Sequence, residues 1–120
     1  MIDAAYVQRM ARYNRWQNEN LYGAADTLSD AQRKQQCGAF FGSIHGTLNH
    51  LLWADQLEDA SLAGELTWFS GAIKAEVRKP KWLLVTHMFN HQTHHRGQVH
   101  CMLTQAGSKP GDTDLPFTPV

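Results

Sequence analysis

The sequence predicts one all-α domain spanning residues 1–120, and three observations point there. Apolar residues recur at steps of three and four along three long stretches of the chain. No segment alternates apolar and polar residues for long enough to assign a strand, and no internal repeat or low-complexity tract breaks the helical runs. At 120 residues the chain can build one hydrophobic core but not a second independent one. A helical bundle follows, because amphipathic helices bury their apolar stripes against one another.

The first helix runs from Asp3 to about Ala25, with Asp3 as N-cap and Tyr6, Met10, Tyr13, Leu21 and Ala24 on its apolar side. Residues Thr27 to Gln36 read as a connection holding a turn of helix. Ser43 is the expected N-cap of a second helix that carries Ile44, Leu48, Leu51, Leu52 and Leu57 and ends near Ala60. Between Leu62 and Lys79 the glycines Gly64 and Gly71 weaken the pattern, leaving a short third helix around Leu66 to Arg78. Pro80 suits the first position of a last helix, Pro80 to Gln105, which Gly107 and Pro110 terminate. The tail from Pro110 to Pro119 reads as irregular.

Lysine plus arginine equal aspartate plus glutamate at 11 each, so the formal net charge is zero. A nucleic-acid role is therefore not expected, since such proteins carry a basic face that neutralises phosphates. The two cysteines, Cys37 and Cys101, lack a CxxC arrangement and read as free thiols. The start Met-Ile-Asp-Ala-Ala-Tyr lacks a basic segment followed by an apolar one, and no apolar run approaches bilayer length. The expectation is a soluble cytoplasmic protein with no membrane partner.

Histidines carry the chemistry. His87, His91, His94 and His95 crowd the last helix, and His45 and His50 lie on the second. His91 and His95 fall on the progression Leu84, Met88, His91, His95, Val99, Met102, so two imidazoles four apart share an apolar seam. A buried neutral histidine satisfied by a hydrogen bond is the plain alternative; two in register equally suit a metal-binding pair. His87 and His94 flank the seam and read as a hydrated flank or a subunit interface, with His94 also placed to support a metal ligand. A catalytic three-ligand site needs a third donor from another helix. Helical angle favours His45 over His50, leaving both open at this point. Tyr13, Asn14, Arg12 and Arg96 are candidate contacts to substrate, against the simpler readings of core aromatic and solvated arginine. No HExxH, nucleophile signature or phosphate loop occurs.

These blocks resemble the DinB family of metal-binding four-helix bundles. The likeness lies in Tyr13-Asn-Arg-Trp-Gln-Asn18, Phe41-Gly-Ser-Ile-His-Gly-Thr-Leu-Asn-His50-Leu-Leu-Trp-Ala-Asp55, His87-Met-Phe-Asn-His91-Gln-Thr-His-His95-Arg-Gly-Gln98 and Gly111-Asp-Thr-Asp-Leu-Pro116. The resemblance implies a metal held by His50, His91 and His95, overruling the angular preference for His45. It also implies dimers and thiol chemistry, since relatives include bacillithiol transferases and mycothiol-dependent maleylpyruvate isomerases. The chain departs from the family between Asp55 and Pro80, where about two dozen residues stand in for a full third helix. The expected architecture is thus a DinB-like up-down four-helix bundle with a shortened or missing third helix.

Together these readings describe a metal-dependent enzyme with zinc or nickel at His50, His91 and His95, activating water or a low-molecular-weight thiol as a hydrolase or thiol transferase. Tyr13, Asn14, His94 and Arg96 are its expected contacts to substrate or supports of the metal ligands. The alternative is a non-catalytic, metal-stabilised helical dimerisation module. In either reading Trp53, Leu57, Leu62, Trp68 and Phe69 supply enough apolar surface to predict a homodimer.

Overall fold

Local chemistry sets the ends of each helix. In the computed structural model, which describes residues 2–55 and 62–119, Asp3 caps α1 (Ala4–Asp26) by accepting a hydrogen bond from the Tyr6 amide. Ser29 and Gln32 form a reciprocal capping box on the short α2 (Asp30–Lys34). Ser43 Oγ accepts from the Gly46 amide and starts α3 (Ile44–Asp55), as expected. The end of that helix near Ala60, like Leu57, lies outside the described residues. α4 (Lys81–Gln105) begins after Pro80, which occupies the capping position rather than the first turn. It stops where Gly107 adopts φ 83°, a conformation that costs glycine little.

Residues 62–80 overturn the all-α expectation. In place of a short third helix, β1 (Glu65–Ser70) pairs antiparallel with β2 (Ala75–Pro80), Trp68 opposite Val77 and Leu66 opposite Lys79. Thr67, Trp68, Phe69 and Val77 favour extended backbone, and Gly71 with Lys74 at φ 53° supplies the reversal. Each strand is six residues long, too short for its alternation to stand out in the sequence. The tail is irregular except for a single 3-10 turn, Leu115–Phe117.

α4 is the shared element, packing on both α1 and α3. Along α1 the partners of α4 advance together: Tyr6 meets Phe89, Asn14 meets Arg96, and Ala24 meets Ser108. The two helices therefore run parallel, while the pairing of Phe41 with His95 and of His50 with His91 makes α3 antiparallel to α4. The result is an up-down-up arrangement of three long helices, with the hairpin occupying the chain between α3 and α4. Leu21, Ala24, Ala25 and Leu28 of the α1 end, Ile44 and Leu48 of α3, and Val99, Met102 and Leu103 of α4 form one buried cluster.

The entry into α3 is tightly packed. Gly42 adopts φ 80°, and a Cβ at Gly46 would lie 2.4 Å from the Phe41 carbonyl oxygen. Real side chains do not tolerate that approach to backbone. Gly46→Ala is expected to lower stability by about 1–3 kcal/mol, the scale of overpacking. Urea denaturation measures it, and an unchanged midpoint would show that the turn relaxes freely.

Candidate metal centre

α3 and α4 each bring imidazoles to one point. His50, half-buried on α3, stands with its Nε2 3.0 Å from His91 Nε2, and His91 Nε2 lies 3.2 Å from His95 Nε2. The donor atoms of all three residues fall within 4.8 Å of one another. Phe41, fixed by the turn before α3, stacks on the His50 ring at 4.1 Å and meets the His95 ring edge-on at 5.3 Å. An aromatic wall thus restrains two of the three imidazoles.

The other ring nitrogens decide which atoms face inward. His95 Nδ1 lies 2.8 Å from Gln98 Oε1, and His91 Nδ1 lies 3.3 Å from Gln92 Oε1. An amide oxygen only accepts, so both rings carry their proton on Nδ1 and present a lone pair at Nε2. Two lone pairs facing each other at 3.2 Å repel unless an electrophile stands between them. The spacing suits a metal ion, since ligands about 2.0–2.1 Å from one tetrahedral ion sit roughly 3.3 Å apart.

His50 is held below the ordinary imidazole pKa first by desolvation, then by the charges of His95 and His91. For His91 desolvation again leads; the Gln92 hydrogen bond opposes it, and His95, His87 and His94 add to the lowering. Neutral rings are the form that ligates metal.

The remaining sequence candidates are dispersed. His45 is exposed and bonds Asn49 within its own helix at 3.2 Å, so it stands apart from the cluster that the angular argument would have had it join. His87 is exposed, its ring 5.6 Å from that of His91. His94 is also exposed and approaches Gln98 Nε2 at 3.5 Å, which links it through that amide to His95. Arg96 is buried, not solvated: it donates to Asn14, reaches Thr93, and lies 5.6 Å from the centre of the Tyr13 ring. Tyr13 in turn donates to the Thr113 carbonyl at 2.6 Å, and Gln17 to that of Asp112 at 2.9 Å. Tyr13, Asn14 and Arg96 thereby tie α1, α4 and the tail together. A cavity of about 300 Å³ opens beside them, lined by Thr93, Arg96, His100 and Cys101 among others, and none of His50, His91 and His95 lines it.

Sequence reasoning assigned no role to Gln92, Gln98 or Phe41. The signal for Gln98 was its place three residues after His95, one helical turn on. That for Phe41 was tertiary, since nothing in the chain before α3 shows which ring it will touch.

The lowered values carry a sign. A folded chain that keeps His50 and His91 neutral binds fewer protons than the unfolded chain, whose imidazoles titrate near 6.5. Their contribution to stability is complete above about pH 6.5 and is lost as pH falls through the lowered folded values. In metal-free protein the urea midpoint should fall as pH drops below about 6.5, and a His50→Asn, His91→Asn double variant should show a shallower fall. An identical slope in both proteins would contradict this assignment.

Both cysteines are free and exposed, and among the described residues no helix is long and apolar enough to cross a membrane. No curated protein and no solved structure matches the chain. The family model of the DinB family matches it in two overlapping segments, residues 1–68 and 52–120, which together span its whole length. With that match and the three histidines gathered between α3 and α4, the chain belongs to the DinB family.

Proposed function

We propose that this protein is a metal-dependent enzyme that activates water or a low-molecular-weight thiol, acting as a hydrolase or thiol transferase. The observation that carries the reading is the convergence of His50, His91 and His95, two of them with Nε2 lone pairs already aimed inward. A divalent ion, zinc or nickel, held by these rings supplies a Lewis acid that lowers the pKa of a water or thiol brought to it. Three neutral ligands leave the full positive charge of the ion available for that purpose.

Each side chain then has a distinct duty. Gln98 and Gln92 hold the tautomers of His95 and His91, and Phe41 restricts the swing of His50 and His95. His94, exposed at the rim and coupled to His95 through Gln98, is the proposed group for moving a proton to or from solvent. Tyr13, Asn14 and Arg96 act by bracing α4, a positioning role upstream of substrate.

One observation favours a second reading, a non-catalytic metal-stabilised module: the cavity beside Arg96 is lined by none of the three histidines. Metal-loaded protein distinguishes the two. Incubated with a low-molecular-weight thiol and an electrophilic acceptor, or with an activated ester, it is expected to accelerate product formation, and His91→Ala is expected to abolish the gain. Metal that raises thermal stability without any turnover would favour the module.

Binding itself is tested by calorimetric titration with zinc and nickel. His50→Ala, His91→Ala and His95→Ala should each weaken binding about a hundred-fold or more, whereas His45→Ala and His87→Ala should stay near the parent. Equal loss in His87→Ala would extend the ligand set beyond these three.

A further inference from the structure

Five residues of α4 stand at the spacing of one helical stripe: Thr93, Arg96, Gly97, His100 and Cys101, at i, i+3, i+4, i+7 and i+8. A stripe with that spacing ordinarily carries the apolar side chains that seal one helix against its neighbour. This one holds no aliphatic or aromatic side chain. It lines the cavity of about 300 Å³ instead, and Tyr13 and Gln17, four apart on α1, supply the facing wall.

Gly97 accounts for the room. It lies within the helix, outside the set of glycines with positive φ, and a Cβ placed on it meets no atom of the described residues within 4 Å. Neither a turn nor a close approach of another segment therefore calls for glycine, although glycine inside a helix is less favourable than alanine or a larger helix former. A side chain at this position would enter the cavity. The glycine keeps open a space that a better helix former would fill.

The walls define what fits there. Arg96 is only 5% exposed, yet it borders this cavity. Asn14 and Thr93, to which it donates, are neutral, so these bonds fix the plane of the guanidinium and do not offset its charge. No described residue lining the cavity carries a carboxylate. His100, half-buried on the same stripe, offers a ring N–H in either protonation state. A cation held in a desolvated wall attracts an oxyanion, and a guanidinium matches carboxylate and phosphate by its paired N–H groups. The Tyr13 ring adds surface for an uncharged body. At about 30 Å³ for each water-sized group, that body and its charged head together amount to roughly ten non-hydrogen atoms.

We infer that the cavity between α1 and α4 is a binding site for a small organic oxyanion, a carboxylate or a phosphate, whose charged group sits on Arg96 and whose body lies over Gly97 beside Cys101. None of His50, His91 and His95 lines it, so the site is separate from the candidate metal centre and stands whether or not that centre is catalytic. Arg96 then has two duties, bracing α4 against α1 and holding the ligand's charge.

The two thiols report on occupancy. Cys101 is exposed and lines the cavity, whereas Cys37 is exposed outside it and serves as an internal reference. Alkylation of the native chain by uncharged iodoacetamide, at constant ionic strength, is followed at both thiols by peptide mass spectrometry in the presence of benzoate, phenyl phosphate or benzamide. Benzoate or phenyl phosphate should slow the reaction of Cys101 about ten-fold at about ten times its Kd, with Cys37 unaffected and with the same result in the presence and absence of zinc. Whichever anion protects identifies the charged group. Benzamide, close to benzoate in size but uncharged, should leave both rates unchanged. Gly97→Leu, which fills the cavity with a good helix former, should lose the protection while helical circular dichroism and zinc binding persist. No slowing by either anion at tens of millimolar, equal slowing by benzamide, equal slowing of Cys37, protection that requires zinc, or protection that survives in a folded Gly97→Leu chain would each overturn the proposal. The comparison of anions with benzamide uses the native chain alone and decides without any variant.

Discussion

Ile44 and Leu48 of α3 pack in one buried cluster with Val99, Met102 and Leu103 of α4, and the register this sets is what the candidate centre depends on. With those side chains buried, sliding α3 by one residue would rotate its apolar stripe by about 100° and expose it. The same register carries His50 to the level of His91 and His95. The facing Nε2 lone pairs of His91 and His95 are unfavourable in themselves. The apolar cluster supplies the free energy that holds the two helices in this register.

Polar side chains refine what the core positions. Gln92 is fully buried and Gln98 half-buried, and each accepts from a histidine Nδ1 that would otherwise be free to turn. On the opposite side of α4, buried Arg96 reaches Asn14, and Tyr13, Gln17 and Asn20 draw the tail onto α1 through the carbonyls of Thr113 and Asp112. One helix thus presents its donors in two directions. The imidazoles face α3, and the guanidinium braces α1.

Between α3 and α4 the chain substitutes a hairpin for the helix that would complete a four-helix bundle. Two short strands link the helices without covering the first turn of α4, where Trp82 and Leu83 stay exposed. The hairpin's ladder continues into the helix through the bond from the Lys81 amide to the Gly64 carbonyl, so its orientation is tied to α4. Leu66, Trp68, Phe69 and Ile73 of the hairpin are exposed as well.

The sequence by itself determined the helices and their ends: Asp3 and Ser43 as caps, Gly107 as a stop, and the four-residue spacing that sets His91 and His95 on one face of α4. These are local properties, encoded within a turn or two of chain. The third imidazole was legible only through the DinB motif, because helical angle compares residues within one helix and favoured His45. Tertiary structure decided for His50 by setting α3 antiparallel to α4 with Phe41 stacked behind it. It also decided that Arg96 is buried and that residues 65–80 form a hairpin. The placements of His50 and Arg96 depend on partners 41 and 82 residues away, about which helical periodicity and single-residue preference carry no information, whereas the hairpin pairs residues close in the chain and was hidden by the shortness of its strands.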